Sequence, residues 1–156
     1  MGVQGLEVKV LLQHGSNVYE PVLEGGVEWY ASIMGKAGRL KCKVVRDGIV
    51  NFVEGAKVTL SVDGRICFSG YVMTKERTSE QIISVTAYDQ MFYLARNKAT
   101  YIFVNKGAKE IIQTIGADYG LQVGHITDSG WKMPQRIEEG ETLVDIILSA
   151  LEICGQ

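Results

Sequence analysis

The sequence predicts an α+β fold, with an N-terminal antiparallel β-barrel or strongly curved sheet over residues 1–98 and an α/β appendage over 99–156 bearing two amphipathic helices. Three observations predict it. Apolar residues alternate with polar ones through the first two-thirds of the chain, an Asp-Gly pair sits between two such runs, and the apolar period lengthens to that of a helix after Tyr88.

Leu6, Val8, Val10 and Leu12 alternate with Glu7, Lys9 and Gln13, which predicts a strand with one buried face. Leu40, Cys42 and Val44 alternate with Lys41 and Lys43 in the same way. Val58, Leu60 and Val62 lead into Asp63-Gly64, and Ile66, Phe68 and Val72 continue the alternation beyond it. Asp-Gly accepts the positive φ that a tight hairpin demands, so strands 57–62 and 65–73 are predicted to pair antiparallel. A further strand runs from Gln81 to Tyr88, with bulk on both faces, as in a closed or half-closed sheet whose outside is covered. Between Gly15 and Gly38 the glycines interrupt Val27, Trp29, Tyr30 and Ile33, and one strand is expected there.

Residues 89–94 read as one or two helical turns, with Asp89 placed to accept from first-turn N–H groups. Tyr101–Val104 reads as a short strand. A helix over 107–119 follows, its apolar face formed by Ala108, Ile111, Ile112, Ile115 and Tyr119 and its end marked by Gly120. Residues 124–140 read as an extended connector, kept out of a helix by Pro134 and closing on an acidic turn, Glu138-Glu139-Gly140. A second helix starts near Thr142, where Thr142 and Asp145 have capping-box spacing. Its stripe is complete just as the sequence stops at Gly155-Gln156, and the chain is therefore expected to be the N-terminal portion of a longer polypeptide.

With 16 Lys and Arg against 18 Asp and Glu, the net charge of -2 argues against a protein that gains affinity by neutralising nucleic-acid phosphates. No basic n-region precedes an apolar run, and no stretch is long enough to span a bilayer, so neither a signal peptide nor membrane insertion is expected. Met1-Gly2 opens the chain, but Leu6 stands where a myristoylation signal wants Ser or Thr. The three cysteines lie far apart in apolar periodic segments and read as reduced core thiols.

His14 and His125 lack metal-ligand spacing to other donors, and no phosphate-cradling, dinucleotide or nucleophile-elbow motif occurs. No catalytic, cofactor-binding or metal-binding residues are therefore assigned, and an enzyme is not expected. Glu138 and Glu139 are read as a solvated turn rather than an acid and base pair. Two residues stand out as possible partner contacts, Trp131 and Met133. They serve either as partner-facing anchors or as a tack holding the connector onto the barrel, and the sequence leaves both open.

Four segments in order resemble the XkdQ-type family of phage and prophage tail proteins from contractile tails of Gram-positive bacteria. They are Val85-Thr86-Ala87-Tyr88-Asp89-Gln90 with Tyr93-Leu94, Tyr101-Ile102-Phe103-Val104-Asn105-Lys106, Ala108 to Ile115 with Tyr119-Gly120-Leu121, and Thr142-Leu143-Val144-Asp145-Ile146-Ile147 with Ala150-Leu151. The resemblance covers residues 5 to 154, and Ala-Tyr-Asp-Gln followed by Tyr-Leu is its most specific part. It implies a baseplate hub subunit of a virion or tail-like particle, assembled in the bacterial cytoplasm. It implies a homotrimer that joins the tail tube to the central spike through tube-like β-barrels, in members about twice as long as this chain. Gly107 departs from the family, which often has a capping Thr or Ser there, and a looser helix start is expected. The competing reading is a cell-wall-binding or lytic module associated with a tail. The absence of a spaced acid pair or Cys-His set speaks against lysis, and the presence of only two tryptophans is poor support for carbohydrate binding.

Overall fold

A computed structural model describes residues 5–33, 35–48 and 53–155. The Met1-Gly2 start lies outside the described residues. Contacts divide the chain into two compact units, one of Met1–Ile33 and Ala37–Gln90, the other of Met34–Lys36 and Met91–Gln156.

The first unit is a seven-stranded antiparallel sheet built from β1 (Val8–His14), β2 (Asn17–Tyr19), β3 (Leu23–Tyr30), β4 (Arg39–Val45), β5 (Lys57–Val62), β6 (Arg65–Arg77) and β7 (Ile82–Tyr88). Its order is β2-β1-β5-β6-β7-β4-β3, so the short strand β2 and the strand after it in sequence lie on opposite edges. Laid flat, seven strands would hold those edges about 29 Å apart at about 4.8 Å per step. The link through residues 20–22 reaches only about 14 Å. The sheet must therefore roll until its edges approach. It does not close: among the described residues β2 and β3 do not pair, which corrects the expected barrel in favour of a strongly curved open sheet.

The alternation read from the sequence is the inner face of this roll. Val10, Leu12, Leu40, Val44, Val58 and Val72 are all at most 2% exposed. The β5–β6 hairpin turns at Asp63-Gly64, both with positive φ (48° and 77°), the type I′ geometry that matches strand twist. Asp63 also clasps the sheet edge, since its Oδ1 accepts from Glu7 N at 2.8 Å and its own N donates to Glu7 O at 2.9 Å.

Strand β6 is less regular than its pattern suggests. Leu60 pairs with Phe68 but Ser61 with Ile66, so Cys67 is an extra residue. That bulge turns Ile66 to the outside, where it is 70% exposed instead of continuing the Phe68 and Val72 face. A second bulge at Met73 falls between the pairs Val72–Ala87 and Thr74–Thr86. The Gly15–Gly38 segment forms two strands where one was expected. Gly15 (φ 62°) makes the β1–β2 turn, and Gly25 (φ 77°) lies in the bulge between Leu23 and Val27 that let β3 escape a period-two reading.

The second unit holds α1 (Met91–Arg96), β8 (Lys98–Lys106), α2 (Ala108–Asp118), β9 (Met133–Thr142) and α3 (Leu143–Ile153). Strands β8 and β9 pair as an antiparallel ribbon. One ribbon face and both longer helices enclose a core that includes Phe103, Ile111, Ile115, Met133, Leu143 and Ile146. The division falls after Gln90 because Leu94 of α1 buries in this second core and Lys98 already pairs with Thr142.

The expected acidic turn at 138–140 is instead strand. Two residues, Glu139 and Gly140, face one in the partner strand, and Gly140 (φ 66°) takes the left-handed position of the bulge. Helix α3 begins as its capping-box spacing predicts: Asp145 N donates to Thr142 Oγ1 at 3.2 Å. Replacing Thr142 by Ala is expected to cost about 1 kcal/mol in urea unfolding, while Thr142→Ser stays within a few tenths of the parent.

Candidate functional site

The ribbon carries polar groups on its inward face. Directly paired residues share a face, so Tyr101 lies beside Glu138 and Phe103 beside Arg136. Arg136 Nε donates to the Glu138 carboxylate, Nη2 donates to Ser149 Oγ of α3, and Nη1 lies 3.9 Å from Met133 Sδ. Glu138 is only 8% exposed, so this carboxylate is committed to one guanidinium rather than to solvent or a substrate. Tyr101 stacks on Phe103 with ring centroids 5.1 Å apart, and its hydroxyl donates to Asp118 Oδ2 at 2.7 Å. Burial first, and then that hydrogen bond, push the Tyr101 phenol well above its ordinary range.

A second polar node holds the start of α2. Gly107 N donates to Glu110 Oε2 at 3.0 Å, while Lys106 Nζ and Lys132 Nζ approach the same carboxylate at 3.3 and 3.4 Å. The Gly107 N–H, followed by Lys106, lowers the Glu110 pKa to about 2. This node also explains why Gly107 departs from a capping Thr or Ser. A Cβ there would meet the Trp131 carbonyl oxygen at 2.9 Å, so the close approach of the 120–132 connector requires glycine. Glu110 supplies only the returning half of a capping box, accepting from the Gly107 N–H, and no side chain at Gly107 caps the first-turn N–H groups.

A depressed carboxylate pKa stabilises the folded state above the group's ordinary value of 4.5, and that contribution is lost as pH falls toward about 2. A thermal-melt series across that window is expected to slope less for Glu110→Gln than for the parent, with the two curves separating most above pH 4.5.

Of the two sequence-predicted contact residues, Met133 is 3% exposed, within the second core. Trp131 remains 47% exposed, and its carbonyl accepts from Cys154 Sγ at 3.8 Å. The structure therefore places the pair, two residues apart, in different surroundings. Burial pushes the Cys42 thiol up to about 11, which keeps it protonated at neutral pH.

The sequence did not single out the outward face of the ribbon. Ile102 and Ile137 pair directly and are 65% and 61% exposed, with Val104 at 60% beside them. The signal was present in Tyr101-Ile102-Phe103-Val104, whose two faces are both apolar although a two-stranded ribbon has only one face to bury. Among the described residues no three His, Cys, Asp or Glu side chains cluster as a metal site. No described helix is long and apolar enough to cross a membrane.

A family model described as YQBQ-like matches residues 27–155. The chain belongs to that family. It is 33% identical over 100 residues to the YqbQ protein of Bacillus subtilis strain 168 and 32% identical over 100 residues to the phage-like element PBSX protein XkdQ of the same organism. Each alignment takes in 64% of this chain and 30% of the relative, so the aligned part is under a third of either relative's length. The XkdQ-type resemblance read from the four segments thus agrees with a relative bearing that name.

Solved structures share the fold. The prophage MuSo2 43 kDa tail protein of Shewanella oneidensis superposes with a TM-score of 0.77 at 19% identity, covering 96% of this chain and 49% of that one. The tail protein of Neisseria meningitidis MC58 gives 0.72 at 14% identity, covering 97% and 46%. A type VI secretion component of Escherichia coli, described as structurally similar to phage T4 tail proteins gp27 and gp5, gives 0.59 at 15% identity over 96% and 41%. The YQBQ-like chain is thus similar to phage tail proteins along nearly its whole length, while it spans less than half of each of these structures.

Proposed function

We propose that this YQBQ-like chain is a non-enzymatic structural subunit of a contractile phage tail or tail-like particle, acting in the baseplate hub that joins the tail tube to the central spike. The observation that carries the reading is a fold shared with a prophage tail protein over 96% of the chain, together with the 32% identity to a phage-like element protein. The role is one of shape and contact. Its ionisable groups with the most defined geometry, Glu138 and Glu110, are tied to Arg136, Lys106, Lys132 and the backbone, which suits scaffolding rather than turnover.

In this reading the protein works as a homotrimer, meets tail-tube and spike proteins, and is assembled in the bacterial cytoplasm. Light scattering on the full-length protein is expected to give a trimer, and a strict monomer at high concentration would overturn the trimeric hub. A turbidity assay on purified cell walls separates this role from the lytic alternative: no clearing is expected, and clearing would favour an enzyme.

A further inference from the structure

Strand β4 carries Arg39, Lys41 and Lys43 at alternate positions, all exposed, above an inner row of Leu40, Cys42 and Val44 that is at most 4% exposed. A rise of about 3.4 Å per residue spaces successive cations about 7 Å apart on one face. The strand is paired on both sides, by β3 and β7, so the row stands on a held platform rather than on a loop. None of the three cations has an ion pair or side-chain hydrogen bond among the described residues, whereas the equally exposed Lys9 does pair, with Glu7. Three like charges in line repel one another, and no carboxylate of the described chain lies within ion-pair distance of them, although Glu28 stands across from Lys41 on β3.

The surroundings of the row define what fits it. On β7, Ser84 and Thr86 stand in register with Lys43 and Lys41, and Tyr88 with Arg39, so the neighbouring strand adds no charge to this face at those positions. Carboxylates border the band: Glu28 pairs opposite Lys41 on β3, Glu76 pairs opposite Ser84 on β6, and Glu24 lies in the β3 bulge. The positive strip is therefore about two strands wide, with negative margins. A continuous polyphosphate would meet repulsion at both margins, in keeping with the net charge of -2. A protein surface with one row of carboxylates at alternate positions of an extended strand has the matching spacing and width.

We infer that the outer face of β4 is a docking strip for an acidic strand of a partner protein, with Arg39, Lys41 and Lys43 each facing one carboxylate. This names a partner chemistry beyond the hub reading and does not depend on it, because the strip is tested on the chain itself.

The probe is a disulfide-cyclised β-hairpin peptide presenting glutamate at three alternate positions of one strand, rigid so that little ordering is needed on binding. Its control has the same composition with the three glutamates in a block. By fluorescence anisotropy at about 50 mM salt, the alternating hairpin is expected to bind saturably, and to weaken about tenfold or more in Arg39→Gln/Lys41→Gln/Lys43→Gln. Raising salt to about 300 mM with the parent protein is expected to weaken binding severalfold, a readout that needs no variant. All three side chains are exposed and the triple variant removes their mutual repulsion, so it is expected to melt no lower than the parent. No saturable binding, equal binding of the block control, equal binding by the triple variant, or tighter binding of a single-stranded oligothymidine of equal charge would each overturn the inference.

Discussion

Gly70→Ala is expected to destabilise the first unit by about 3 kcal/mol, measured as a shift in the urea midpoint at unchanged slope. Gly70 sits mid-strand in β6, where a Cβ would lie 2.3 Å from the Tyr88 carbonyl oxygen, 2.7 Å from its carbonyl carbon and 2.6 Å from Phe68 Cζ. Two of those atoms are backbone in the paired strand β7, which cannot move aside without breaking the β6–β7 ladder. Relief would have to come from shifting Tyr88 and Phe68 together, in the stretch that precedes the second bulge at Met73. A change of under about 0.5 kcal/mol would mean that the two strands separate more easily than this register implies.

Arg136→Ala is expected to cost about 3 kcal/mol, because it strands the Glu138 carboxylate, 8% exposed, without its guanidinium. It also removes the donor that reaches Ser149 and so loosens β9 from α3. The companion double variant Arg136→Met/Glu138→Gln separates charge from packing. Since it leaves no buried charge, it is expected to recover most of the loss, and recovery of none would show that the Arg136 stem, not the ion pair, was the stabilising element. Chemical denaturation of the three proteins side by side gives the answer.

The legible parts of the fold were those where one local rule acted alone. The β5–β6 hairpin followed from Asp63-Gly64, and α3 from Thr142 and Asp145, because turn and cap chemistry are set within four residues. The illegible parts were those where a long-range approach overrode local pattern. Ile66 faces outward because of a bulge at Cys67, and β3 was blurred by the bulge around Gly25; neither feature has a period of its own. Glu138 was read as a solvated turn because its neighbours Glu139 and Gly140 suggest one, but its partner Arg136 was two residues away on the same strand face. The β9 strand was missed for the same reason. Open closure was beyond sequence reading altogether, since alternation fixes which face is inside and says nothing of whether the last two strands meet.

The candidate site divided in the same way. The strand around Tyr101-Ile102-Phe103-Val104 was visible in its residues, whereas the exposed Ile102–Ile137 pair required knowing that β8 and β9 are neighbours. Trp131 and Met133 were chosen by residue type alone, and type does not distinguish a side chain under a ribbon from one beside it.

The strand order has a consequence in time. Strands β1 and β2 are made before their sheet neighbours: β1 takes its place only when β5 arrives, and β4 waits for β7. During synthesis residues 8–45 thus have no stable neighbour beyond the β1–β2 and β3–β4 pairs until β5 and β7 emerge, and ladder completion requires contacts of high sequence separation, which fold slowly. The β5–β6 turn is the natural seed from which pairing spreads outward on both sides. A nascent chain halted before Tyr88 would hold its inner row of valines and leucines open to water, within reach of any other unfinished copy.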